Sequence, residues 1–226
     1  ASAEFALNKA VDWLYFTGRL PNDPLGRLFS TANYARRIVF SGEQEALQAI
    51  EQLRKIHTAV ETKRGQQIPE WAYHDVLFML IHYSIASYEL LERPLTESEK
   101  DELYQVFYRV GKGMGLGELP LNYREWLPVR TACLRENLQR SEFTSDLFLR
   151  YKKHLGRFRY LLLQEVQKLL VPRRVRELLF PGKIAWLGPL VPVYAFSKKL
   201  HLDHWVKSLL FPAAYRKQIN ALDMGS

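Results

Sequence analysis

Cysteine is nearly absent: Cys133 is the one cysteine in 226 residues. A lone thiol closes no internal disulfide and supplies no paired zinc ligands, which excludes a disulfide scaffold and a zinc finger and suits a reducing compartment. Strand-like alternation is missing as well, and so is the strand–helix rhythm of a parallel sheet. Gly111, Gly113, Gly115 and Gly117 alternate, but a helical pattern precedes them, so they do not form a dinucleotide-binding fingerprint. The apolar stretch from Ile184 to Phe196 is interrupted by Gly188, Pro189 and Pro192. It falls short of the roughly 20 apolar residues that cross a bilayer. The first residues show no basic region leading into an apolar core and a small-residue cleavage site. The expected location is therefore cytoplasmic or peripheral to a membrane, with no signal peptide visible.

What is present is helical patterning. With 47% hydrophobic and 13% aromatic residues, the chain can bury one substantial core. The expectation is an all-α, single-domain multi-helix bundle over residues 1–226, with 5–150 as its core and 151–226 as a basic, apolar C-terminal helical region. Helices are expected over Leu7–Phe16, Leu25–Phe40, Glu125–Leu138 and Thr144–Leu170. A further helix begins near Pro69, and the box Thr96-x-x-Glu99 starts one that runs to about Lys112. Ser41 and Gln44 have capping-box spacing for the helix that follows them. That helix carries apolar residues at Ala46, Leu47, Ala49, Ile50, Leu53, Ile56 and Val60.

His57 projects from that same stripe. A buried imidazole needs a partner for its ring nitrogens, either a hydrogen bond within the core or a metal.

Charge is unevenly spread. Residues 151–226 hold 14 Lys/Arg against 4 Asp/Glu, leaving 18 against 20 in residues 1–150. Such a local surplus points to an anionic surface. Trp186 and Tyr194, flanked by Lys183 and Lys198-Lys199, suit a segment lying at a membrane interface; a buried irregular segment is the alternative. The basic runs Arg150–Arg159 and Arg173–Arg176 lack a helix-turn-helix pattern, zinc spacing or an aromatic ribonucleoprotein motif. No nucleic acid partner is expected, although a basic helical module for nucleic acid is the most distant alternative.

Three motifs stand in order along the chain. Asp23-Pro24-Leu25-Gly26-Arg27-Leu28-Phe29-Ser30-Thr31 puts Arg27 and Thr31 one helical turn apart. Leu53-Arg54-Lys55-Ile56-His57-Thr58-Ala59-Val60 follows. Tyr73-His74-Asp75, with His82 further along, completes the set. This order resembles the catalytic domain of the rubber oxygenase family, which includes the latex-clearing proteins and the ER-bound oxygenase of mycophenolic acid biosynthesis. Phe40-Ser41-Gly42-Glu43 and Gly115-Leu116-Gly117-Glu118-Leu119-Pro120 are similar to its recurring turns.

The resemblance implies an all-α bundle around haem b, and an oxygenase acting on an apolar small-molecule or polymer substrate. By that resemblance His57 is the axial iron ligand on the proximal side, and Arg27 and Thr31 stand on the distal side, where oxygen and substrate meet. His82 matches a family histidine and joins the candidate cofactor-binding residues. Latex-clearing members carry a lysine just before the threonine, where this chain has Ser30. The substrate class is thus open, and a non-catalytic haem- or lipid-binding relative is the alternative. No Cys-x-x-Cys-His run exists, so covalent haem attachment is excluded.

Overall fold

The computed structural model describes residues 1–191, apart from the side chains of Arg19, Leu28 and Leu190. Ten α-helices follow one another among these residues. They are α1 (Ser2–Phe5), α2 (Val11–Phe16), α3 (Arg19–Asn22), α4 (Pro24–Phe40) and α5 (Glu43–Arg64). Then come α6 (Glu70–Leu91), α7 (Glu97–Gly113), α8 (Tyr123–Glu136), α9 (Glu142–Leu170) and α10 (Arg173–Leu179). The fold is an all-α single domain, as the sequence predicts. Its one β feature among the described residues is an isolated bridge between Asn8 and Leu138.

Helix α6 is central because it is apolar nearly all round. Ala72, Leu77, Phe78, Met79, Ile81 and Ile85 are all buried, and so are Asp75 and Tyr83. One side meets α7 and α8 in a core that includes Tyr104, Phe107 and Trp126. There Phe78 and Trp126 pack edge to face, with ring centroids 6.1 Å apart. The other side contributes Met79 and Tyr83 to a second core with Ala3, Leu7, Val175 and Phe180. A third core joins α2, α4 and α9 through Val11, Leu25, Phe29, Leu147, Tyr151 and Leu155.

Local signals explain where the helices begin and end. The box at Thr96 forms as read: its hydroxyl accepts from Glu99 N, and the Glu99 carboxylate accepts from Thr96 N at 2.8 Å. The box expected at Ser41 does not form, because Gly42 is the N-cap and no side chain caps α5. At its other end α5 outlasts its apolar stripe, reaching Arg64 before Gly65 stops it in the left-handed region (φ +69°). The helix expected over Leu7–Phe16 is broken, and Asn8 is the reason. Its side-chain amide donates to Asp75 Oδ2 at 2.7 Å, while Lys9 N and Gln139 N pair with Asn137 O and Leu7 O. These long-range bonds outweigh the local helical pattern. Helix α9 bends at Gly156, whose φ of +74° only glycine adopts easily.

The glycines at 111 and 113 belong to α7, so no strand precedes them. Among the described residues no helix is long and apolar enough to cross a membrane. Tyr194, Phe196, Lys198 and Lys199 lie outside the described residues.

Candidate functional site

The first part of the site is a helix start. Asp23 caps α4 by accepting from Gly26 N at 2.9 Å, and Pro24 occupies its first turn. One turn of this helix later, Arg27 Nη1 donates to Thr31 Oγ1 at 3.0 Å. The Thr31 hydroxyl donates in turn to the Arg27 carbonyl, also at 3.0 Å. The guanidinium and the hydroxyl are therefore preset against each other.

The two-residue link Ser41-Gly42 returns the chain, so α5 packs back along α4. His57 is half-buried, and its Nδ1 is buried with no hydrogen-bond partner. Burial, then the nearby Arg27 guanidinium, holds the imidazole below its ordinary pKa, while Glu61 opposes them. His57 is thus a neutral imidazole beside Arg27.

Two further residues complete this face, and the motif reading had not assigned them roles. Glu61 lies four residues after His57 and so one turn further along the same side. Its Oε1 accepts from Ile68 N at 2.9 Å and from the Tyr73 hydroxyl at 3.2 Å. Tyr73 sets its ring edge against His57, with centroids 5.2 Å apart at 62°. Burial and then the Glu61 carboxylate push its phenol well above the usual range. The His57–Glu61 spacing was visible in the sequence. The Tyr73 contact depends on how the chain turns between Gly65 and Pro69.

Arg64 closes the same side of α5. Its guanidinium lies 4.0 Å over the Trp13 ring and 2.6 Å from Asp12 Oδ2. Asp12 therefore reaches the end of this face, whereas Glu4 is buried far from it, paired with Arg130.

The expected stripe on α5 is only partly a core stripe. Ala49 and Ile50 are buried, but Leu47 and Ile56 are exposed. Helix α5 sits at the periphery against α4 and α7, with Leu53, His57 and Val60 half-buried.

His82 lies elsewhere. It follows Tyr73 by nine residues, which is about 13 Å along α6 and half a turn round it. It neighbours Arg130, and the Leu170 carbonyl accepts a hydrogen bond from its ring. Its Nε2 is buried without a partner. Burial and then Arg130 lower its pKa from 6.5 to about 4. His74 is committed to packing: its Nε2 bonds with the Gly117 carbonyl at 3.1 Å and its ring stacks on Phe78.

The depressed pKa of His82 has a consequence for stability. Between about pH 6.5 and about pH 4 the unfolded chain binds the proton that the folded chain refuses, so stability is full above 6.5 and falls as the pH drops. The loss between pH 7 and pH 5 should be about 2 kcal/mol. His82→Asn should flatten that part of the dependence in urea melts. An equally steep profile in the variant would assign the loss to other groups.

Comparison with curated proteins and with solved structures gave no match. Residues 8–201 match the family described as "ER-bound oxygenase mpaB/B'/Rubber oxygenase, catalytic domain". The match spans most of the chain, from α2 through α10, and takes in Arg27, Thr31, His57 and Tyr73 together. This chain therefore belongs to the mpaB/rubber oxygenase catalytic-domain family.

Proposed function

We propose that the chain is a haem b-dependent oxygenase acting on an apolar substrate, with His57 as the axial iron ligand. One observation carries the reading: the buried, unpartnered Nδ1 of His57 sits on the α5 face beside the Arg27–Thr31 pair. A buried polar atom without a partner needs an explanation, and ligation at the ring accounts for an imidazole held neutral in an apolar stripe.

The surrounding residues fit haem in their chemistry. Among the described residues no group of three or more His, Cys, Asp or Glu side chains could hold a metal ion. Iron on His57 would therefore need a macrocycle to supply most of its ligands, as haem does. Leu53 and Val60 on α5 and Tyr34 on α4 are half-buried, and Ile38 and Val39 of α4 pack against the core that contains Ile50 of α5. They are suited to a large, flat, mostly apolar group.

When bound, haem would supply the oxygen chemistry. The protein's own part is positioning and polarity. Thr31 spends its one hydroxyl proton on the Arg27 carbonyl and orients the Arg27 guanidinium, whose N–H donors would stabilise negative charge developing on oxygen. Tyr73 fixes the imidazole plane by packing on it, and Glu61 anchors Tyr73 through the hydroxyl. Ser30, exposed on α4, leaves this face without the lysine of the latex-clearing relatives.

The test is reconstitution of the purified chain with haemin, followed by its absorption spectrum and by oxygen uptake with apolar test substrates under reducing conditions. A Soret band with turnover is expected. Arg27→Ala should keep most of the haem and lose about a hundredfold in turnover, the scale typical of removing one preorganised donor. Equal loss of haem and activity would make Arg27 a haem-anchoring residue instead. An intact chain that takes up no haem would sink the proposal.

A further inference from the structure

Among the described residues, the second half of α9 carries an apolar surface that lies outside the three cores. Phe158 is 58% exposed and Leu161 46% exposed. They lie seven and four residues before Glu165, and so on the same side of the helix. Glu165 is where the segment after α10 crosses: its Oε2 accepts from Trp186 N at 2.9 Å. Two residues on, Gly188 lies against Leu169. This crossing holds Ile184 and Trp186 beside α9 yet leaves them 88% and 52% exposed. Four large apolar side chains thus share one outer surface, two of them on a loop tethered by backbone.

The surrounding charge has one sign. Lys152, Lys153, Arg157 and Lys183 are exposed. The two carboxylates between Lys152 and Val191 are both engaged: Glu165 is buried against Lys168, and Glu177 pairs with Arg173 and Arg174. Exposed aromatic and aliphatic tips within a basic rim match a bilayer interface with anionic headgroups. Nucleic acid fits less well, because two of the neighbouring arginines, Arg150 and Arg176, are occupied within the protein. Arg150 bonds Asp146 and the Pro21 carbonyl, and Arg176 bonds the Lys168 carbonyl.

We infer that Phe158, Leu161, Ile184 and Trp186, rimmed by Lys153, Arg157 and Lys183, form a docking surface for an anionic lipid bilayer. The protein rests on the membrane there without crossing it. Tyr160 and Leu163 of this same half pack against the third core, which anchors the helix beneath the exposed side chains. The inference does not depend on haem.

The experiment is sedimentation of the full chain with vesicles of phosphatidylcholine alone or mixed with phosphatidylserine. Binding to the mixed vesicles is expected, weakening as salt screens the charges. Ile184→Asp combined with Trp186→Ala should bring it to background while leaving the unfolding curve unchanged, since both side chains are exposed. Lys153→Gln with Lys183→Gln should weaken it about 25-fold, at roughly fivefold per lysine near an anionic surface. The inference is overturned if the intact chain ignores mixed vesicles, or if both double variants bind as well as the parent. It is also overturned if the chain prefers duplex DNA to vesicles. A vesicle-inert dimer that Ile184→Asp splits would make this surface a contact between two copies, which equally overturns it.

Discussion

His57→Ala is expected to give a folded protein that no longer holds haem in its native spectroscopic form. Folding should survive because α5 is peripheral and His57 is only half-buried. Alanine is also the strongest helix former, so α5 keeps its backbone. Haem binding should not survive, because among the described residues no other imidazole lies on this face. His82 is half a turn away on α6, and His74 is committed to Gly117. The Soret band of the reconstituted variant should disappear or shift strongly, and the far-ultraviolet circular dichroism should not change. His74→Ala serves as the control and should match the parent spectrum. If His57→Ala keeps the parent band while His82→Ala loses it, the ligand lies on the other side of α6 and the assignment is wrong.

The largest loss of stability should follow Arg130→Ala. Glu4 and Arg130 are 1% and 4% exposed, and they meet at 2.6 Å near the middle of the molecule. Removing the guanidinium leaves a carboxylate in the interior without its counter-charge. Breaking such a pair from one side costs about 3–5 kcal/mol. Arg130 also neighbours Asp75, whose carboxyl burial pushes above its ordinary value despite the bond from Asn8. The double variant Glu4→Leu with Arg130→Met should recover much of the loss, since an apolar pair of similar volume needs no counter-charge. Urea unfolding of the three variants tests this. A loss below about 1 kcal/mol for Arg130→Ala would mean that the Glu4 carboxylate finds another partner or is reached by water.

Legibility from sequence followed the range of the forces. The capping box at Thr96 and the helix start at Pro69 are local signals, and both appear in the structure as the sequence predicts. The break between α1 and α2 is not local. Nothing within Leu7–Phe16 shows that Asn8 will donate to Asp75, 67 residues away. The stripe on α5 has correct helical period, but period alone does not reveal how much covers it, and Ile56 ends 37% exposed. Arg27 and Thr31 could be paired from their spacing of four. Family likeness implied Arg27 and Thr31 on the side of a haem opposite His57; that Arg27 lies close to His57 depends on the turn at Ser41-Gly42. The Glu61–Tyr73 bond depends on a second turn, at Gly65, where a left-handed residue fixes the exit of α5.

The two-sided burial of α6 also bears on how the sequence can change over evolutionary time. Its Tyr73 side serves α5, its Phe78 side the aromatic core, and its Asp75–Tyr83 side the N-terminal segment. A substitution that suits one neighbour meets the requirements of the other two, so accepted changes on α6 should be few and come in compensated sets. The outer face of α5, with Arg54, Lys55, Thr58 and Lys63 exposed, carries no such obligation. Variation among descendants of this chain should therefore collect on α5 within a few residues of His57. A strongly variable stretch and an invariant histidine would then occupy opposite sides of a single helix.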